Sequence, residues 1–248
     1  AATTTSNFVL RAVDAASNTT SRAFSITVTR IFTSTSFTSS GTFAVPSGVT
    51  NLSSVLVVAG GGAGGTHHGG GGGAGGLVFM PDVPVSPGGT VAIVVGCGGG
   101  QPNNFPAPDN PSGQQGASGS DSIFGNSPSP GTTNPLTAKG GGGGGAAPGN
   151  ALSGGSGGGG RGSTGCSPGG TATQPTQSGD SGAYGFGNNG GAVPNPLGPN
   201  YRAGGGGGAG AVGLNGGGPG GQSGQGGAGR AYTIADGTSP VYYAGGGG

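Results

Sequence analysis

The residues of this chain that could recognise a ligand sit between its glycine blocks. Thr164–Arg202 carries Tyr184, Phe186, Asn188, Asn189, Tyr201 and Arg202, and Gln101–Gly119 carries Phe105 and Asp109 among prolines and amides. Aromatic faces, amides and an arginine together suit a polar ligand such as a glycan or a protein surface. The alternative is that the same aromatics pack down as caps over a glycine layer. Both readings stay open at this point.

Catalysis has less to work with. Gly179-Asp180-Ser181-Gly182 has the form of a serine-protease nucleophile segment, but a triad also needs a base and an orienting acid. The histidines are His67 and His68, adjacent and flanked by glycine. Without a third ligand nearby they make a weak metal pair, and they read as an exposed loop between two glycine segments. Lys139 follows Leu136-Thr137-Ala138 and not a phosphate-cradling loop. The many GxGxxG matches lack a strand-then-helix setting. There is no Glu in the chain. No catalytic residue, cofactor or metal is assigned, and the chain is not expected to be an enzyme.

The elements that would hold those residues are written in the composition. Glycine is 70 of 248 residues and proline 19, with no G-X-Y period. Such a composition is ordinarily disordered, yet disorder usually brings high net charge. Here charged residues are 5% and the net charge is +1. A chain so poorly protected against association folds and assembles, or precipitates. Six scattered Arg and one Lys form no basic stripe, so nucleic acid is not an expected partner. No apolar run is long enough for a membrane helix, so insertion is not expected either. Cys97 and Cys166 permit one disulfide or two free thiols, and spacing does not decide between them.

Of the 39 Leu, Ile, Val and Phe residues, 27 precede Gly96. The front therefore reads as conventional β-structure. Phe8–Val13 and Phe24–Val28 alternate around a polar turn, which predicts a hairpin. Residues 32–40 are a connector or a first strand. Thr42–Val45, Leu52–Ala59, Leu77–Met80, Val91–Val95, Ser122–Phe124 and Arg230–Ala235 are further strand candidates. The breaker-rich PDVPVSPGG separates two of them, and Pro46-Ser47-Gly48 is a turn. No segment has a helical period.

The glycine blocks follow short lead-ins: VLVVAGGGAGG from Val55, VAIVVGCGGG from Val91, PLTAKGGGGGG from Pro135, YRAGGGGGAG from Tyr201 and VYYAGGGG from Val241. A linker has no reason to be introduced in this way. Polyglycine can adopt an extended left-handed helix of about three residues per turn with no internal hydrogen bonds. Its N–H and C=O groups must then be satisfied by neighbouring helices, and glycine is what lets the helices close. Ala63, Ala74 and Ala209 would mark outward-facing or locally roomy positions. The fold class expected is all-β plus polyglycine II, with short strands in front and packed glycine helices behind.

Two stretches carry a resemblance. Leu10–Asp14, Ser17–Thr19 and Arg22–Val28 resemble the last two strands of immunoglobulin-like or cadherin-like repeats of bacterial and phage surface proteins. That resemblance implies that residues 1–31 are the closing hairpin of a sandwich lying mostly upstream. FTSSGTFAVPSGVTNLSSVLVVAGGGAGG, residues 37–65, is similar to the lead-in of the glycine-rich domain of phage tail-fibre adhesins and related surface proteins. GGGGGAGGLV, SPGGTVAIVVGCGGG, SDSIFG, LTAKGGGGG and VYYAGGGG match later parts of that domain. Residues 32–248 are then one glycine-rich domain, expected to continue beyond Gly248.

What the resemblance implies is a structural and adhesive module of an extracellular or virion fibre, located on a virion or cell surface. A glycine-helix slab would display host-recognition loops. Other fibre or virion proteins, or further copies of the chain, would be its partners, with a cell-surface glycan or outer-membrane protein as receptor. The alternative is a bacterial surface or extracellular filament protein whose slab drives self-assembly.

Overall fold

The computed structural model describes residues 2–30, 33–101, 113–125, 135–162, 165–174, 185–194, 201–217 and 222–248. Among these residues the regular elements are all strands, and no α-helix is present.

β1 (Ala2–Val13) and β2 (Thr19–Arg30) form a two-stranded antiparallel hairpin. Both strands outrun the expected apolar cores because the Ser/Thr flanks pair as well; Thr5 and Thr27 hydroxyls meet at 3.1 Å. Phe8 lies opposite Phe24 with their rings stacked at 5.5 Å. Asp14 closes the turn by accepting from the Asn18 side-chain amide and the Asn18 and Ala16 backbone N–H groups. Those bonds hold its carboxyl below the usual range, Asn18 contributing most.

The remaining strands make three small sheets. One has the order β3 (Gly41–Ala44), β6 (Thr90–Val94), β7 (Ser122–Phe124), β8 (Leu136–Ala138). The second has β5 (Leu77–Pro84) between β4 (Asn51–Val58) and β9 (Gly185–Phe186). The third pairs β10 (Arg230–Tyr232) with β11 (Val241–Tyr243). The first two share a core that includes Val55, Val57, Val91, Ile93, Phe124 and Leu136. Period-two alternation on β4 buries Val55 and Val57 on one face.

One alternative is resolved and one expectation needs correction. Residues 33–40 form no strand. The PDVPVSPGG breaker does not end β5 at Met80, because the strand continues through Pro81 to Pro84. β9 pairs only with Leu77 and Val78, so the far stretch of β5 has β4 on one side and no described strand on the other. A proline lacking its N–H is tolerated on such an open edge. The Pro46 turn forms as expected: Val49 N–H donates to Pro46 at 3.2 Å, and Gly48 has φ 84°, the value that favours glycine there.

Behind the strands the glycine blocks are extended rows bonded to one another. Row 69–76 shows the rule. Gly70, Gly73 and Gly76 donate to Gly145, Gly142 and Lys139, while Gly71 and Ala74 donate to Gly204 and Gly207. Gly65, Gly62 and Ala59 donate to the carbonyls of Gly70, Gly73 and Gly76, and Gly159 and Ser156 to those of Gly71 and Ala74. Partners therefore repeat every third residue, where a strand would repeat every second. Three is the repeat of the extended three-residue-per-turn helix. No glycine of these blocks has φ in the left-handed region, since the positive values fall at Gly48, Gly88, Gly125, Gly217 and Gly237.

The rows are too close for side chains. A Cβ added at Gly143 would lie 1.8 Å from the Gly116 carbonyl oxygen, and one at Gly206 would lie 2.0 Å from that of Gly72. Ala63, Ala74 and Ala209 are buried at 6%, 4% and 2% exposure, so they are not outward-facing. Their methyl groups fill local room between rows. Four of the five lead-ins end in strands, namely β4, β6, β8 and β11; Tyr201–Ala203 does not.

This packing makes Gly206→Ala and Gly143→Ala costly. Overpacking against backbone that cannot move aside is expected to cost about 3 kcal/mol or more. For a chain of this size that lowers Tm by roughly 6–12 °C. Gly100, where a Cβ would meet nothing within 4 Å, is the control. Thermal denaturation followed by circular dichroism checks it; equal Tm values for all three alanine variants would contradict the packing described.

Candidate functional site

The rows run between two ends. β4 enters row 59–65 at one end, and row 69–76 leaves into β5 at the same end. The turn between them, Thr66–His68, therefore lies at the end away from the sheets. Row 202–209 runs parallel to row 69–76, since Gly71 bonds to Gly204 and Ala74 to Gly207. That direction brings Tyr201 and Arg202 to the turn-bearing end as well.

An exposed stack of rings stands there. His68 lies on Tyr201 with centroids 4.3 Å apart and planes at 27°, and His67 tilts against His68 at 4.7 Å. Both histidines have left-handed backbones, φ 47° and 60°. The turn is anchored from below, because Gly162 N–H donates to the His68 carbonyl at 2.8 Å. Beside it the Arg161 guanidinium donates to the Pro148 and Gly149 carbonyls. Tyr201 is 46% exposed. Arg202, next to it, is half-buried.

The other sequence candidates separate by position. Phe186 belongs to β9 at the strand-bearing end, half-buried, with the Arg230 guanidinium 3.7 Å above its ring centroid. Phe79 and Tyr232 stack nearby at 4.5 Å. This cation–π contact ties β10 to β9.

Asn188 and Asn189 use their amides on the rows. Asn188 Nδ2 donates to the buried Gly208 carbonyl at 2.7 Å, and Asn189 Oδ1 accepts from Ala172 N–H at 2.7 Å. Asn215 and Gln174 do the same for Ala192 and Lys139 N–H groups. Each side chain supplies a bond that a neighbouring row would otherwise make. Tyr184, Phe105 and Asp109 lie outside the described residues. The segment Thr164–Arg202 is thus not one loop: its described parts, 165–174 and 185–194, are built into the array, and Tyr201–Arg202 reaches the end.

Sequence reasoning missed the pairing of His68 with Tyr201. The two are far apart in the chain, and they meet only because rows 69–76 and 202–209 share a direction. Row lengths counted from each lead-in were the signal available.

Lys139 and Asp121 form an ion pair at 2.7 Å at the strand-bearing end. Burial alone would raise the Asp121 carboxyl, but the Lys139 ammonium and the Gly140 N–H hold it below its ordinary value. Cys97 and Cys166 are free and exposed. Among the described residues no group of three or more His, Cys, Asp or Glu side chains could hold a metal ion.

Residues 35–248 match the family described as a glycine-rich domain. The chain belongs to that family. No curated protein and no solved structure matches it. The glycine-rich domain so defined starts after the β1–β2 hairpin and takes in the three small sheets, all the rows and the ring stack.

Within this domain Asn188 is placed as a support for the array. Asn188→Ala leaves the buried Gly208 carbonyl without a donor, which is expected to cost about 1–3 kcal/mol. Tyr201→Ala removes a largely exposed ring and is expected to stay within about 0.5 kcal/mol of wild type. Chemical denaturation of the two variants checks the contrast; equal stability would show that Asn188 does not carry that bond.

Proposed function

We propose that this chain is a structural and adhesive module of an extracellular or virion fibre, its glycine rows being polyglycine II helices. The observation that carries the reading is the exposed His67–His68–Tyr201 stack at the end of the rows away from the sheets. Rows bonded every third residue and packed backbone to backbone form a stiff support. A stiff support holds recognition groups in place before contact, which lowers the entropy lost on binding. Aromatic rings with an adjacent arginine suit a glycan or a polar protein surface. The receptor class is therefore a cell-surface glycan or outer-membrane protein, and the module works by display and not by catalysis. The resemblance of residues 37–65 to tail-fibre lead-ins supports a virion or cell-surface location, with other fibre proteins as neighbours.

A second reading, a surface or extracellular filament, draws on the hairpin. Pairing places Phe8, Leu10, Phe24, Ile26 and Val28 on one face, and all are exposed. An apolar face of that kind needs a cover. The closing strands of an immunoglobulin-like repeat would present one, and so would an assembly surface.

Cell binding separates the two. Fluorescently labelled protein is titrated onto bacterial cells, and His68→Ala/Tyr201→Ala is compared with wild type. A loss of at least about tenfold in affinity with unchanged Tm is expected, in line with aromatic hot spots. Phe186→Ala, at the opposite end, should bind as wild type below its melting temperature. Wild-type binding by the His68/Tyr201 variant would remove the adhesive reading of this end and leave the filament reading.

A further inference from the structure

Among the described residues, one side of row 69–76 holds no neighbouring row, and the backbone there carries donors and acceptors without partners. Row 69–76 sits inside the array and donates in three directions by turns. Gly70, Gly73 and Gly76 donate to row 139–146, and Gly71 and Ala74 to row 202–209. The third set, Gly69, Gly72 and Gly75, finds no acceptor among the described residues. Gly72 and Gly75 are nonetheless buried. A buried N–H without a partner is rare and costly.

The neighbouring row 59–65 has the complementary deficiency. The carbonyls of Ala59, Gly62 and Gly65 receive no N–H among the described residues, although those of Gly60, Gly61 and Ala63 do. The two sets lie along one seam. A Cβ added at Gly69, Gly72 or Gly75 would fall 2.0, 2.1 and 2.1 Å from the oxygens of Gly65, Gly62 and Ala59. Free donors and free acceptors therefore alternate along the seam at a three-residue spacing, about 9 Å.

The seam opens onto a groove of about 470 Å³ whose far wall is row 244–248. Three glycines on its walls, Gly61, Gly64 and Gly245, have room that Gly62, Gly65 and Gly72 lack. A Cβ on Gly61 or Gly64 would approach nothing closer than 3.6 Å, and one on Gly245 nothing closer than 3.8 Å. At Gly61 the space faces the free Gly75 N–H, 3.9 Å away.

We propose that this groove is a docking site for one extended glycine-rich segment of a separate polypeptide, with glycine at every third position. The segment would accept from Gly69, Gly72 and Gly75 and donate to Ala59, Gly62 and Gly65, completing the row. Its glycines would face the seam, where the backbone leaves no room for a Cβ. Its other positions would face the outer side, and small polar residues fit them. The chain's own outer row shows such a pattern: Gly116 and Gly119 face inward, with Ala117 and Ser118 between them. No described row of this chain enters the groove. This site is independent of the ring stack and does not rest on the adhesive reading.

The probe is a fluorescein-labelled peptide of Gly-Ser-Ser repeats, titrated by anisotropy, with amide exchange of the protein followed by NMR. Saturable binding is expected, with exchange slowed at Gly69, Gly72 and Gly75. A Val-Ser-Ser peptide should not bind. A Cβ at Gly64 meets no backbone atom closer than 3.6 Å, so Gly64→Val, reaching into the groove, should weaken binding at least about tenfold, as truncating a central contact does, with Tm preserved. Gly245→Val, from the opposite wall, does the same should Gly64→Val fail to fold. No saturable binding by wild type, or equal binding by a folded groove-filling variant, overturns the proposal. Slow exchange at those three amides without peptide, arising with concentration-dependent self-association, overturns it in favour of a second copy of this chain.

Discussion

An extended glycine row has no hydrogen bonds of its own, and everything behind the strands follows from that. Each residue carries one donor and one acceptor that must be met from outside. With partners repeating every third residue, the donors of a row leave in three directions and the acceptors face the directions between. Row 69–76 displays this: its donors go to rows 139–146 and 202–209, and its acceptors are served by rows 59–65, 151–161 and 244–248. Such a row is stable only when surrounded. The array must therefore be laid down as a bundle, and its sequence must be glycine wherever backbone meets backbone.

Surrounding a row costs conformational entropy, because glycine loses the most freedom on ordering. The strands at one end offset that cost. Val55, Val91, Ile93 and Leu136 bury side chains in a conventional core, each stabilising by about 1.5–3 kcal/mol. The same strands fix where each row begins: β4 leads into row 59–65, β6 into the row from Gly96, β8 into row 139–146 and β11 into row 244–248. Starting points set by a β-core determine the register of rows that have no side chains with which to specify their own. Where the array reaches its outer edge, Asn188, Asn189, Asn215 and Gln174 supply the bonds of absent rows.

Much of this could be read from residue order. The alternation in Leu52–Ala59 and in Val91–Val95 gives β4 and β6, and the block lead-ins give the places where rows start. The path of β5 through Pro81 and Pro84 could not be read, because which edge of a strand stays open is decided by distant partners. The candidate site divides on the same principle. Tyr201 and Arg202 follow from the position of a row end. Asn188 and Asn189 looked like loop amides, yet they are array amides, because glycine on both sides of them belongs to rows and not to a linker. His68 joined Tyr201 only through the shared direction of two rows, which no local pattern encodes.

The two ends of the rows differ in what they can do. The strand-bearing end is closed by contacts that tie elements together: Arg230 over Phe186, Phe79 against Tyr232, and Lys139 with Asp121. Its aromatic and charged groups already have protein partners. The turn-bearing end holds rings stacked on one another and open on their outer side. A ligand can gain only from groups whose interactions are not already satisfied, so the proposed recognition is assigned to the second end. The proposed groove between the rows would offer a different kind of recognition, through backbone alone. A seam of glycine donors and acceptors cannot distinguish side chains, but it can distinguish a chain able to bring its backbone close from one that cannot. A Cβ on the inward face would be enough to prevent contact, so the proposed groove would read the spacing of glycine in its partner, and not charge or hydrophobicity.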